Sequence, residues 1–529
     1  MAFGDVELQD MVAVGLTTAR SARVWARSVH AGRHRLVLRP ADAEAAVIDV
    51  EVALDPSVDD GTGAWTLPGS FAHAGDLEPD CAYAVELSFD GRRLAHAAFR
   101  TAPRDRASAP PRWSFGALSC HQPFDDHGEI AAEADSMLRA VGQAYEEADV
   151  RFVLLMGDQS YADRPAHASL FLDEYFARVA PPGRTRLLDC TASEVRALYQ
   201  RRHRVFWGCH ELSRLQSSHC CYPMLDDHEV VDNFGSDPAH EGPAWANVRQ
   251  GALDAFFDYQ GARVHERGPS GERPPFLDWG FRWGPAAVWG MDIRSHRRTV
   301  DGVTTVYTDA QLGALQRFLA AHAELPLLVL MTPIPLVHIE GHLVTILGHL
   351  LSEGSDLHER WSHPRCRRDR DRFVSILLEH GLAHPLQRIV LLGGDVHAGA
   401  AFEIDFSGGV QLVQLTSSAV SNREGWLVRK ACESAAHSVK RIELLDGRHG
   451  DVGLIRGQAE GRDHNPFGDL NAGIVDVYDH GDRVDVGLRL VSHDGEGNPR
   501  IVFETGELGR RRDRSERLTG IDELARPRR

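Results

Sequence analysis

A chain of 529 residues exceeds what one hydrophobic core organises, so two or more domains are expected; 43% hydrophobic and 25% charged residues is the texture of soluble globular protein. A formal charge of −18 disfavours a general binder of nucleic acid or anionic membrane, because phosphate backbones recruit basic surfaces. It leaves room for a phosphate-bearing substrate, since metal ions supply positive charge locally.

Lysine occurs only at Lys430 and Lys440, and neither follows a glycine, which excludes a Walker-type phosphate loop. G-x-S-x-G and H-E-x-x-H are absent, "HEVVD" at 228–232 coming closest to the latter. No C-x-x-C pair exists among the cysteines, so mostly reduced, buried thiols are expected.

The first residues, "MAFGDVELQDMVAVG", carry Asp5 and Glu7 in place of a basic signal region. Residues 12–100 then read as strands. "ARVWARS" and "RLVLR" alternate apolar and polar residues, as strands with one buried face do. "YAVELSFDGRRLAHAAFRT" sets Asp90-Gly91 between two such segments, a type I′ hairpin signal. Short strands with close turns predict a small β-sandwich over 1–105, followed by a Pro- and Ala-rich linker at 106–112. Beyond it, apolar runs ("WSFGALS", "FVLLMG", "AAVWGMDI", "PLLVLM", "IVLLGG") alternate with helical spacing ("EIAAEADSMLRAVGQAYEEA", "RDRFVSILLEHGL"). That pattern is α/β, a largely buried sheet flanked by helices, over 113–505. The longest apolar stretch, "LPLLVLMTPIPLV" at 325–337, is too short and proline-broken to span a membrane. Residues 506–529 read as a basic tail or peripheral helix. The expectation is a soluble, cytoplasmic protein unless a leader has been removed.

Four strand-like runs stop at metal-capable side chains: "FGALSC" at Cys120, "FVLLMGDQSY" at Asp158 and Tyr161, "CCYPMLDDHE" at Asp226, Asp227 and His228, and "IVLLGGDVH" at Asp395 and His397. Loops beyond the carboxyl ends of sheet strands meet in one crevice, so distant segments can share a site. Alone, Asp158 is as readily a strand-ending turn residue as a ligand, Tyr161 a packed aromatic, and Cys120 buried filler. The other loops favour ligation by Asp158, and Tyr161, three residues after it, shares that reading. Asp226 is expected to orient His228 from behind. Asn233 and Arg294 read equally as pocket or structural residues, Cys220-Cys221 as strand filler, and the histidines of "HIEGH" at 338–342 as loop residues.

The motifs "SCHQ" (119–122), "GDQSYAD" (157–163), "DDHEVVDN" (226–233) and "GDVHAG" (394–399), in this order, resemble the PhoD-like (alkaline phosphatase D) family of metallophosphoesterases. "MDIRS" at 291–295, "TDAQLGALQRFL" at 308–319 and an Asp- and Arg-bearing helix over 356–377 fit the same resemblance. It implies a layered α-β-β-α domain behind a fibronectin-like β-sandwich. It also implies two cations sharing Asp158: Fe³⁺ held by Cys120, Asp158, Tyr161 and His397, and Ca²⁺ (or Mg²⁺ or Mn²⁺) held by Asp158, Asp227 and Asp395. His228 aligns with the histidine that assists the leaving group. The implied activity is hydrolysis of a small or polymeric phosphoester by a metal-activated hydroxide, as phosphatase or phosphodiesterase. A phospholipase D-type diesterase, a non-haem iron oxidoreductase and a non-catalytic scaffold are the alternatives. Inserts at 164–210 and 423–451 depart from the family pattern and are expected to shape the substrate pocket.

Overall fold

A computed structural model describes residues 3–71, 75–341, 343–344, 356–458 and 460–509. Seven N-terminal strands form two antiparallel sheets. One orders Met11–Thr17, Ala22–Arg27 and Thr62–Leu67; the other orders Ile48–Leu54, Gly32–Pro40, Ala82–Phe89 and Arg92–Arg100. Alternation holds along Ala82–Phe89, where Tyr83, Val85 and Leu87 are buried. The hairpin forms as expected, Asp90 and Gly91 both taking positive φ (48° and 77°).

Alternation fails along Ala22–Arg27, where every residue is buried. Arg23 donates to the carbonyl of Ala262, and Arg27 to the Tyr259 hydroxyl and the Leu8 carbonyl. The segment around 259–263 covers the face that the sequence pattern assigns to solvent. Long arginine stems pack there while their guanidinium groups find carbonyl partners.

Two larger sheets follow. A six-stranded sheet orders Cys221–Pro223, Val150–Leu155, Arg112–Leu118, Ala472–Asp479, Val484–His493 and Pro499–Glu504. An eight-stranded sheet orders Trp279–Trp283, Ala286–Gly290, Leu327–Met331, Arg388–Gly393, Gln411–Thr416, Ala400–Phe406, His449–Leu454 and Arg441–Glu443. The first three strands of the former and the second to fifth of the latter are parallel. Both sheets are mixed, and their parallel strands are almost wholly buried on both faces. Along Val150–Leu155 and Leu327–Met331, odd and even positions divide between different apolar clusters. Phe152 and Leu154 share a cluster with Leu327 and Val329; Val153 and Leu155 pack with Met137 and Val141, and Leu328 and Leu330 with Phe373 and Leu377. Met137 and Val141 belong to helix Ala132–Glu147, and Phe373 and Leu377 to helix Arg367–Ala383.

The expected helix over 356–377 is two pieces, a 3-10 turn at Asp356–Glu359 and a helix that begins at Arg367. The helix at Asp309–Ala321 starts on a Thr308–Gln311 capping box. All eight cysteines are free, and Cys220 and Cys221 are buried in different clusters. The tail from 510 lies outside the described residues.

Candidate metal centre

The parallel strands end at the candidate side chains: Arg112–Leu118 runs into Cys120, Val150–Leu155 into Asp158, Cys221–Pro223 into Asp226 and Asp227, and Arg388–Gly393 into Asp395 and His397. Close approach of these loops depends on two glycines. A Cβ on Gly157, whose φ is +95°, would lie 2.4 Å from the Cβ of Asp226; one on Gly394 would lie 2.4 Å from Ser119 Oγ. Cys120, Asp158, Asn233, Asp395 and His397 all take φ between 51° and 60°, a left-handed backbone that costs non-glycine residues roughly 1–3 kcal/mol each. Such clustering marks a place where side-chain aim outweighs backbone ease.

Asp158 lies at the middle. The Cys120 thiol and the Tyr161 hydroxyl each donate to its Oδ2 at 3.4 Å, and the His228 backbone N–H to its Oδ1 at 3.3 Å. Ser418 donates to the Cys120 sulfur at 3.1 Å and accepts from the His397 N–H at 3.1 Å, tying those two residues together. His397 Nδ1 sits 2.9 Å from Glu424 Oε1. One oxygen each from Asp158, Asp226, Asp227 and Asp395 falls within 4.8 Å of the others.

Such crowding is electrostatically costly. Burial first, then the negative charges of Cys120, Asp226, Asp227 and Glu229, push Asp158 well above the usual carboxylate range. Burial also raises Asp226 and Asp227, Arg294 offsetting part of it. Asp226 Oδ2 and Asp227 Oδ1 are buried and accept no hydrogen bond among the described residues. Burial acts to raise the Cys120 thiol, yet its hydrogen bond to His397 holds it below the ordinary value. His397 is pushed up to about 10 against burial, by Cys120 and Glu424. A thiol, a phenol, an imidazole and several under-bonded buried carboxylates are the donor set that cations satisfy, so the residues fit the implied metals.

One expectation needs correction, and one open alternative is decided. His228 is not held by Asp226: its Nδ1 lies 2.8 Å from Asp163 Oδ1, and Asp163 also accepts the Asp232 N–H. Asp226 instead bonds Arg294. Arg294 and Asn233 are buried and do not line the cleft. Arg294 is clamped by Glu359 and reaches Asp227 at 3.5 Å, while the Asn233 N–H donates to Asp227 Oδ2 at 2.6 Å. Both support the loop of Asp227 from behind. His338 is likewise buried outside the cleft lining, burial pushing it down to about 3, and His342 lies outside the described residues.

Sequence reasoning also misses Glu229. Its carboxylate accepts the backbone N–H groups of Asp158, Gln159 and Asp226 at 3.1, 2.6 and 2.9 Å, joining two ligand loops. The one signal was its place in "DDHE". The first insert proves mainly a buttress: Phe206 stacks on Tyr161 (5.8 Å, 23°), its carbonyl faces His121, and Trp207 donates to the Gln159 carbonyl. Of it, Arg164 alone lines the cleft, whereas the second insert contributes Glu424, Val428 and Arg429. Asp227, His228, Asp395 and His397 are among the residues that line this cleft of about 890 Å³.

A family model for PhoD-like phosphatase matches residues 115–461. The chain belongs to the PhoD-like phosphatase family. It is therefore a phosphoesterase of a metal-dependent family. Among solved structures, that of PhoD aligns at a TM-score of 0.59 and 14% identity, over 97% of this chain and 96% of that one, a likeness of fold. β-Glucuronidases from Ruminococcus gnavus and Faecalibacterium prausnitzii align at TM-scores of 0.23 and 0.24, with 9% and 12% identity, over 73% of this chain and 54% and 59% of theirs. So weak a likeness carries no argument. No curated protein matches. No helix among the described residues is long and apolar enough to cross a membrane.

Proposed function

We propose that the chain hydrolyses phosphoesters at a two-cation centre shared through Asp158. The observation that carries this reading is the meeting of Cys120 and Tyr161 on one oxygen of Asp158, with Asp227 and Asp395 within reach of the same carboxylate. Cys120, Asp158, Tyr161 and His397 would hold the first ion, Fe³⁺ in this reading. Asp158, Asp227 and Asp395 would hold the second, an all-oxygen set that suits Ca²⁺, Mg²⁺ or Mn²⁺. When bound, such ions supply Lewis acidity toward a phosphoryl oxygen and a water acidic enough to ionise near neutrality.

His228 supplies the proton. It lines the cleft, Asp163 fixes its Nδ1, and its Nε2, 3.8 Å from Asp232 Oδ1, is the edge that would serve the departing oxygen. Burial acts to lower its pKa, but the charge of Asp163 and then that of Asp227 raise it above the ordinary imidazole value, which favours the acid form. Glu229 holds the loops of Asp158 and Asp226 in register.

We further read the two large sheets and their flanking helices as an α-β-β-α layered domain, and the two N-terminal sheets as a fibronectin-like β-sandwich over 1–105. The division of alternate strand residues between clusters supports the first, and the paired three- and four-stranded sheets the second.

Purified chain loaded with Fe³⁺ and Ca²⁺ should turn over an aryl phosphoester, and matched aryl mono- and diesters rank the two substrate classes. A loaded, folded chain that cleaves neither overturns the proposal. Ligation by Tyr161 should also give a visible charge-transfer band that Tyr161→Phe abolishes.

A further inference from the structure

The floor of the cleft is dense in carboxylates, which repel a phosphoryl group. The buried Arg294 does not offset this toward a ligand, since its guanidinium is bonded to Asp226 and Glu359. Four arginines line the cleft itself: Arg164, Arg360, Arg423 and Arg429. Arg423 and Arg429 are both held by Asp469, and Arg164 is exposed. Arg360 differs from all three. Its guanidinium bonds Asp395, a candidate metal ligand, and its side chain is 12% exposed.

The backbone that carries it is fixed. The preceding residue, Glu359, takes Arg294 and Ser236 on its carboxylate, and its carbonyl takes Arg297 at 3.1 Å. Arg360 thus enters the cleft lining beside an anchored neighbour, and its long stem lets the planar head reach beyond Asp395. A guanidinium and a metal cation repel when both press on one carboxylate.

Resting on the phosphoesterase reading, we propose that Arg360 is the phosphoryl-oxygen-binding residue of this cleft. It stands on Asp395 until that carboxylate serves a cation, and then turns its fork to non-bridging phosphoryl oxygens. Guanidinium geometry matches a phosphate edge, and its charge opposes the acidic floor.

The test compares Arg360→Gln and Arg360→Lys with Arg423→Gln, which removes the same charge from the outer cleft. Inorganic phosphate is titrated calorimetrically into metal-loaded protein, and Ca²⁺ into metal-depleted protein. Arg360→Gln should weaken phosphate roughly 10- to 100-fold, the loss expected for a charged hydrogen bond. Arg360→Lys should recover part of it, and Arg423→Gln should stay within about twofold of wild type, while Ca²⁺ binds Arg360→Gln at least as tightly as wild type because its competitor for Asp395 is gone. Unchanged phosphate affinity in Arg360→Gln overturns the inference. So does parallel weakening of phosphate and Ca²⁺, which a merely structural arginine would give. Phosphate binding is read without turnover, so the two readings fail separately. Arg360-dependent phosphate binding without hydrolysis sinks the hydrolase reading alone; hydrolysis with phosphate affinity and KM indifferent to Arg360 sinks this one alone.

Discussion

His228 and Asp163 show how one ion pair sets the chemistry of a proposed proton donor. Buried imidazole prefers neutrality, and the carboxylate 2.8 Å away reverses that preference. Each partner moves the other: burial acts to raise Asp163, but His228 holds it below its usual range. The pair's contribution to stability is therefore complete below the unfolded imidazole pKa and fades as pH rises through the raised folded value. For Asp163 it is present above the unfolded carboxyl pKa and fades as pH falls through the lowered one. In Asp163→Asn burial dominates, so His228 should lose its proton at lower pH. The alkaline limb of the rate profile should then move to lower pH, read from turnover across a pH series; an unmoved limb would detach Asp163 from catalysis. His228→Ala should retain its metals and lose about two to four orders of magnitude in turnover, the usual contribution of a positioned proton donor.

At the scale of elements, strand ends were legible because apolar runs stop where the backbone must turn. Runs such as "FVLLMG" and "IVLLGG" became the strands Val150–Leu155 and Arg388–Gly393, and the loops after them carry the proposed ligands. Partners supplied across the fold were not legible. Ser418, Asp163 and Glu424 reach their targets only once separate strands have paired, and no local spacing encodes that. The same holds for Arg23 and Arg27, whose burial depends on a segment more than two hundred residues away. Glu229 couples two loops, so its loss should be felt in both. Glu229→Ala leaves three buried backbone donors without their acceptor and should cost roughly 3 kcal/mol or more in chemical denaturation, with weaker metal binding. Gly157→Ala combines positive φ with a 2.4 Å overlap on Asp226. It should lose metal affinity even where the chain still folds, measured by calorimetry against circular dichroism.

Over the whole molecule, charge and topology act together. A chain of net charge −18 gathers many buried carboxylates at one crevice, an arrangement that is unfavourable until cations enter it. The family match and the order of the motifs were readable in advance because each motif is local. The work of the inserts was not, because the first packs mainly beneath Tyr161 and gives the cleft Arg164 alone, while the second supplies several lining residues. The decisive measurement is elemental analysis of purified wild-type and Asp158→Asn proteins alongside their phosphoesterase rates. The account predicts two metal ions per wild-type chain, fewer in Asp158→Asn, and turnover lost with them. A metal-free wild type, or an Asp158→Asn protein that keeps both ions and the wild-type rate, would contradict it.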